Sequence, residues 1–343
     1  MSIKSPGTAL VLTALLAACD DGRTPLVLYS PHGRDLLNLV EDAYEAAHPE
    51  IDVRWLFIGS QEVLERVRME KVNPQGDVWF GGPGTILAWA AHDGLLEPYR
   101  PPWADALPAA SRADGDLYFG IYQTPPVLVY NEDAVAPEEA PGDWDDLLDE
   151  HWRGKVLIRD PLASGTMRTV YGMIVARSVA ETGDAKRGFD WLRRLDAQTK
   201  EYVHNPALLH QKLIRQEGLV TIWTMTDILF QRQRGAPLAY RFPASGSPVI
   251  DDSIALIKGA NHPAEARAFI DWVGGRDALL EAARKAYRLP TRTDLPREEL
   301  PDWAREAIDH LVIADVDWQL LEERGAEWLD VWDREIRGRG GAE

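Results

Sequence analysis

Three times between residues 26 and 99 the chain passes from a short apolar run, through a loop of small residues, into a helical pattern, and this alternation limits the possible folds more than any other feature. The run "LVLY" breaks at Pro31 and feeds "RDLLNLVEDAYEAAHP"; "IDVRWLFI" feeds "GSQEVLERVRMEK"; "GDVWFGGPGT" feeds "ILAWAAHDGLLEPY". A strand followed by a helix, repeated in this way, predicts an α/β fold with a parallel sheet. In such sheets ligands collect beyond the carboxyl ends of the strands. Those ends carry "YSPHG", "IGSQ" and "GGPGT", so the candidate binding residues there are Ser30, His32, Gly33, Ser60, Gln61, Gly82 and Thr85.

The middle of the chain repeats the theme. "YFGIYQTPPVLVYN" is predicted extended, with Pro125 and Pro126 as rigid punctuation. "WDDLLDEHWRGKVLIRDPLASGT" predicts a helix, a strand and a turn in which Ser164, Gly165 and Thr166 open the next helix. A hydroxyl there caps free N–H groups and Gly admits a close neighbour, which makes the turn a candidate anion site; an ordinary capped helix uses the same residues. Arg168, in the first turn, reaches either a ligand or a surface acid. "KEYVHNPALLHQKLIRQEG" predicts a strand and a helix capped by Asn205 and started by Pro206. "LVTIWTMTDILFQRQRG" predicts a strand, a loop at 223–227 and a helix. In that loop Trp223 offers a ring face, Thr224 a hydroxyl, and Asp227 a carboxylate that is costly to bury without a partner. "SIALIKGANHPAEARAFIDWV" returns strand and helix, and from Pro296 onward a helical tail places Trp303, Trp318, Trp328 and Trp332 on packing faces. Ser30, Ser60 and Ser164 serve equally well as plain helix caps, and His32 as a partner of its own loop.

A chain of 343 residues, 45% hydrophobic and 27% charged, has room for two globular domains. Its net charge of −18 argues against nucleic acid as a partner. It does not argue against a small anion, because distant charges are screened within about 8 to 10 Å. Lys4 precedes an apolar run at 9–18 that is too short for a bilayer core of about 30 Å and reads as a signal peptide. The run ends in "LAAC", where Cys19 is the single cysteine, so neither a disulfide nor a thiolate metal site is expected. No G-x-S-x-G, Walker A, H-E-x-x-H, EF-hand or G-x-G-x-x-G pattern occurs, and the adjacent acids Asp145–Asp146 and Asp251–Asp252 read as solvated. No catalytic residue, metal site or cofactor is expected.

"LAAC" resembles a bacterial lipobox, which implies acyl chains on Cys19 and attachment of the protein outside the cytoplasm. Asp20, directly after it, resembles the signal that keeps lipoproteins on the inner membrane of two-membrane bacteria. "LVLYSPHG", "GDVWFGG", "YNEDAV", "WDDLLDEHWRGKVLIRDPLASGT" and "SIALIKGANHPAEARAFIDWV" together resemble the extracellular solute-binding proteins of ABC importers, in the group holding ferric-iron, thiamine, phosphonate and hexose-phosphate binders. The resemblance implies a type II periplasmic-binding fold, two α/β lobes with crossing hinge strands and a ligand cleft between them. The expected division is a signal peptide at 1–18, a tether at 19–25, a first lobe at 26–122 plus 240–276, a second lobe at 123–239, and a helical segment at 277–343. It implies a monomeric receptor that hands a small solute to a permease. Iron binders of the group use two neighbouring tyrosines on the second lobe's strand-to-helix loop; "TIWTMTDILF" has none, which points from iron toward an oxygen-rich, phosphorylated or phosphonate-like solute. Ferric iron or thiamine is the alternative within the family, and a tethered hydrolase of phosphorylated solutes the alternative outside it.

Overall fold

The computed structural model describes residues 22–340; Cys19, Asp20 and the apolar run before them lie outside the described residues. The three repeats fold as β1 (Thr24–Ser30), α1 (Arg34–Ala47), β2 (Ile51–Phe57), α2 (Ser60–Met69), β3 (Val78–Pro83) and α3 (Gly84–His92). The chain continues through β4 (Leu96–Glu97), β5 (Phe119–Thr124), β6 (Pro126–Asn131) and β7 (Val156–Arg159). Next come α4 (Gly165–Thr182), α5 (Lys186–Gln198), β8 (Thr199–Val203), α6 (Pro206–Ile214), β9 (Val220–Thr224), α7 (Met225–Gln233) and β10 (Leu238–Arg241). It ends with β11 (Ile250–Ile257), α8 (Pro263–Val273), α9 (Arg276–Ala286), β12 (Leu289–Pro290), α10 (Asp302–His310) and α11 (Trp318–Glu335).

Two sheets result. The first runs β12-β5-β11-β3-β1-β2, with β4 paired to β11; the second runs β10-β6-β9-β7-β8. In the first, β1 lies parallel to β2 with Ser30 opposite Phe57, and β1 lies parallel to β3. In the second, β7 lies parallel to both β8 and β9, with Arg159 opposite Val203. The chain leaves the first sheet at the Thr124–Pro126 junction and returns through β11, which pairs antiparallel with β3 and β5. Each sheet is the centre of one α/β lobe, and each lobe turns the carboxyl ends of its parallel strands toward the other.

Alternation along β1 explains the first core. Leu26 and Leu28 pack with Leu36, Val40 and Phe269 on one face, while Tyr29 packs with Val63, Leu64 and Trp79 on the other. In the second lobe Val156, Leu157 and Ile158 are all fully buried, because helices cover both faces of a parallel sheet. Helix α11 lies along α4, with Leu321 against Gly172 and Trp332 between Tyr171 and Tyr202. It also touches the first lobe, where the Trp89 indole N–H donates to Glu322 O at 3.1 Å.

Three local expectations are corrected. The segment "WDDLLDEHW" forms two short 3₁₀ turns, Trp144–Leu148 and Glu150–Trp152, because Asp143 and Asp149 each accept a backbone N–H and restart the chain. No loop separates β9 from α7: the strand ends at Thr224 and the helix starts at Met225, which puts Asp227 in its first turn. Asp252 is not solvated; it lies on β11 at the bottom of the gap between the lobes and is 8% exposed.

Candidate functional site

A cleft of about 690 Å³ separates the lobes. The first lobe contributes the loop after β1 with His32 and Gly33, the start of α2 with Ser60, the β3 exit with Gly82, and Thr124, Asp252 and Arg288. The second contributes Arg159, the turn Ala163–Thr166, Asn205 and His210 of the α6 region, and Trp223, Thr224 and Asp227 at the β9–α7 junction. Eleven residues predicted from sequence therefore line this one cleft: His32, Gly33, Ser60, Gly82, Ser164, Gly165, Thr166, Asn205, Trp223, Thr224 and Asp227.

Four predicted residues do not line it. Ser30 is fully buried, its hydroxyl donating to Phe80 O at 2.5 Å and accepting from His32 N, so it ties β1 to β3. Gln61 and Thr85 sit in the first turns of α2 and α3 but do not line the cleft. Arg168 turns away against the Trp89 ring at 5.5 Å, between α4, α3 and α11, where burial lowers its pKa to about 10. Helical periodicity is the reason: two residues after Thr166, about 200° round the helix, the side chain points off the face that looks into the cleft.

Capping and ligand roles now separate by geometry. Ser164 caps α4, its hydroxyl accepting Met167 N at 3.3 Å, while Gly165 and Thr166 leave the first N–H groups of an 18-residue helix directed at the cleft. Asn205 caps α6, its amide oxygen accepting from Ala207 N and Leu208 N. Ser60 caps nothing, because Gly59 is the N-cap and Glu62 accepts its N–H at 2.7 Å. The Trp223 indole N–H donates to Asp227 Oδ2 at 2.8 Å, and Asp227 Oδ1 lies 4.0 Å from Arg288.

The chemistry that the sequence reading missed is cationic and buried. Arg159, the last residue of β7, is 6% exposed. Its Nη atoms reach only carbonyl oxygens, of Asp160, Val203 and Ala163, at 3.4–3.5 Å, and its Nε has no partner. Among the described residues no carboxylate forms an ion pair with it, and burial lowers its pKa. The only outward sign in the sequence is an Arg closing the otherwise apolar strand "VLIR". Arg288, 5% exposed, reaches across from the first lobe to Thr226 Oγ1 of α7 at 3.3 Å, and its Nε also lacks a partner. It follows Tyr287, which holds the left-handed backbone (φ 49°) and thereby turns the next side chain inward. Burial lowers the pKa of both His32 and His210, so each ring is neutral, with a free Nε2. His32 sits edge-on between Phe80 and Tyr122, and a Cβ at Gly81 (φ 101°) would lie 2.3 Å from its Nε2. Asp252 accepts from Gly82 N at 3.2 Å and Thr124 Oγ1 at 2.5 Å, yet burial pushes its carboxyl up to about 6.

The cleft is thus lined by four arginines, Arg34, Arg159, Arg234 and Arg288, against three aspartates, Asp35, Asp227 and Asp252, in a chain of net charge −18. Arg234 is paired to Asp35 at 2.5 Å across the lobes, and Arg288 faces Asp227, which leaves Arg159 as the buried cation without a counter-charge. Among the described residues, no group of three His, Cys, Asp or Glu side chains is arranged to hold a metal ion. No helix there is long and apolar enough to cross a membrane.

Comparison with known proteins agrees with this architecture. Residues 30–279 match the family described as bacterial extracellular solute-binding protein. A probable ABC transporter periplasmic-binding protein of Sinorhizobium fredii is 29% identical over 332 residues, 96% of this chain and 90% of its own. The structure of the periplasmic binding protein AfuA from Actinobacillus pleuropneumoniae, with fructose 6-phosphate bound, superposes with a TM-score of 0.81 at 24% identity, over 92% of this chain and 99% of its own. Iron-bound HitA from Pseudomonas aeruginosa superposes with a TM-score of 0.77 at 19% identity, over 91% and 99%.

Proposed function

The chain belongs to the bacterial extracellular solute-binding protein family, with a type II periplasmic-binding fold, and is a solute receptor of an ABC importer; from that premise we propose that its solute carries one strongly anionic group of the phosphate or phosphonate kind. The observation that carries the proposal is Arg159. A guanidinium held out of water without a counter-charge costs free energy unless a ligand supplies one. It lies beside the turn Ala163–Thr166, so a bound anion would receive the cation and the free N–H groups of α4 together. The helix end contributes about 0.3–1 kcal/mol and a charge-assisted hydrogen bond about 1.5–3 kcal/mol. Micromolar affinity needs about 8 kcal/mol, so the remainder of the solute must meet other parts of the cleft as well.

The α6 and β9–α7 part of the second lobe's face suits neutral oxygen-rich groups. Thr224 Oγ1 and His210 Nε2 are buried without partners, and Asp227 presents a carboxylate to the cleft beside the Trp223 ring. Fructose 6-phosphate, the ligand of AfuA, joins an anion to hydroxyl groups in this way. Iron finds less: the Trp223–Asp227 junction has no tyrosine, and Asp227 is already engaged by Trp223 and Arg288. The fuller picture belongs to the same proposal: a monomer held outside the cytoplasm by acyl chains on Cys19, delivering its solute to an inner-membrane permease without chemical change.

The test is thermal unfolding and calorimetric titration against hexose phosphates, glycerol phosphates, phosphonates, thiamine, free sugars and Fe(III)-citrate. A phosphorylated solute at a hundred times its Kd is expected to stabilise the protein by about 2.7 kcal/mol. Arg159→Gln is expected to weaken that solute by about a hundredfold, and Ser164→Ala with Thr166→Ala by about tenfold. A response to Fe(III)-citrate alone, or one indifferent to Arg159→Gln, would overturn the reading.

A further inference from the structure

We infer that Arg337, in the C-terminal segment and outside the cleft, is a positioning residue for the anion site: by pairing with Asp160 it leaves the neighbouring Arg159 guanidinium uncompensated and free to take the solute's anion. The inference rests on the reading of Arg159 given above.

Asp160 follows Arg159 directly and is 7% exposed. Its carboxylate has a structural duty, because Oδ1 accepts Leu162 N at 2.9 Å and so shapes the turn that leads to Ser164. An acid in that place carries a penalty for anion binding. Its negative charge sits beside the cation that is to receive the anion, acts on the Arg159 guanidinium through space more than that of Glu62, the other acid that does so, and would neutralise the guanidinium. Arg337 removes the conflict. Its Nη2 donates to Asp160 Oδ2 at 2.7 Å, its Nη1 pairs with Asp333 at 3.0 Å, and its guanidinium lies over the rings of Tyr202 and Trp332 at 5.4 and 5.6 Å. The segment that carries Arg337 is pinned in turn: Gly338 N and Gly340 N both donate to the Asp196 carboxylate, at 2.9 and 2.7 Å. Neither Asp160 nor Arg337 lines the cleft, so both act only through Arg159 and the turn. A purely structural role for the tail would need its aromatic packing but not this charge.

Charge and packing are separated by substitution, read as calorimetric affinity for fructose 6-phosphate and as thermal stabilisation by inorganic phosphate. Arg337→Gln, which exposes the charge of Asp160, is expected to weaken fructose 6-phosphate by about tenfold, while Arg337→Lys, which loses the ring stacking but keeps a positive charge beside Asp160, stays within about threefold of wild type. Adding Asp160→Asn to Arg337→Gln is expected to restore affinity to within about twofold of wild type, because Asn still accepts Leu162 N and the charge is gone. A double variant as weak as Arg337→Gln, or an Arg337→Gln protein that binds like wild type while Arg159→Gln does not, would overturn the inference alone. If neither these probes nor any other phosphorylated or phosphonate solute of the panel binds wild type, or if those that bind are indifferent to Arg159→Gln, the anion reading of Arg159 falls and takes the inference with it.

Discussion

At the scale of single residues the cleft is governed by groups whose solvation was removed by folding. Arg159 and Asp252 look alike in that respect and differ in what they lack. Arg159 lacks a counter-charge, whereas Asp252 has two hydrogen-bond donors and still has its carboxyl pushed up to about 6, because burial outweighs them. In the unfolded chain that carboxyl titrates near pH 4. Between about pH 4 and 6 the folded protein therefore keeps a proton that the unfolded chain has released, so stability from this group falls as pH rises through that window and is level above it. Asp252→Asn cannot ionise and is expected to match wild type near pH 4 and to exceed it at pH 7.5 by roughly 1–3 kcal/mol. Denaturant unfolding at the two pH values measures this; a difference that does not grow with pH would contradict it. From sequence the adjacent acids Asp251–Asp252 read as solvated, and only the placement of β11 between β3 and β5 brings Asp252 to the cleft.

At the scale of elements, helix starts carry the site, and their caps decide which side chains remain available. Asn205 illustrates the difference between lining a cleft and binding in it. Its amide oxygen accepts two N–H groups of α6, so the cap holds the side chain in place and only the amide NH2 remains to face a solute. Asn205→Ala is expected to cost about 1 kcal/mol of stability and to leave solute affinity within about threefold; paired melting and titration would show it, and a large loss of affinity at unchanged stability would assign Asn205 to the ligand. Caps of this kind were legible in the sequence, as "HNPALL" and "LASGT" show, since capping depends on residues within one turn of each other. The β9–α7 junction was less legible. Thr224, Met225 and Thr226 give no breaker between strand and helix, and the abrupt change of direction is imposed by the pairing of β9 with β6 and β7.

At the scale of the whole molecule the two lobes meet at points where a side chain would not fit. A Cβ on Gly165 would come within 2.9 Å of both Pro83 and Ser60 Oγ of the opposite lobe, and one on Gly59 within 2.9 Å of Ala163 O. Ala is a better helix residue than Gly, so Gly165→Ala should leave each lobe stable while wedging the lobes apart. The expected outcome is a larger radius of gyration by solution X-ray scattering in the presence of solute, an unchanged melting midpoint, and affinity lower by about tenfold, one step of 1.4 kcal/mol. A variant that closes like wild type would show that Pro83 yields instead. Across the outer rim, Arg234 and Asp35 close the same gap, but both are about half exposed and screened by salt, so the close approach at Gly165 weighs more.

The chain's own order of residues determined the α/β class, the repeated strand-to-helix loops, the caps and eleven residues of the cleft wall, because each of these depends on periodicity and on neighbours a few positions away. Tertiary structure decided the charges. Arg159 gains its free cation because Arg337, 178 positions later, takes Asp160. Arg288 enters the cleft because Tyr287 bends the backbone between packed aromatic rings. Electrostatic pairing acts through space between groups distant in the chain, and desolvation depends on everything packed around a group, so neither is written in any local stretch of sequence.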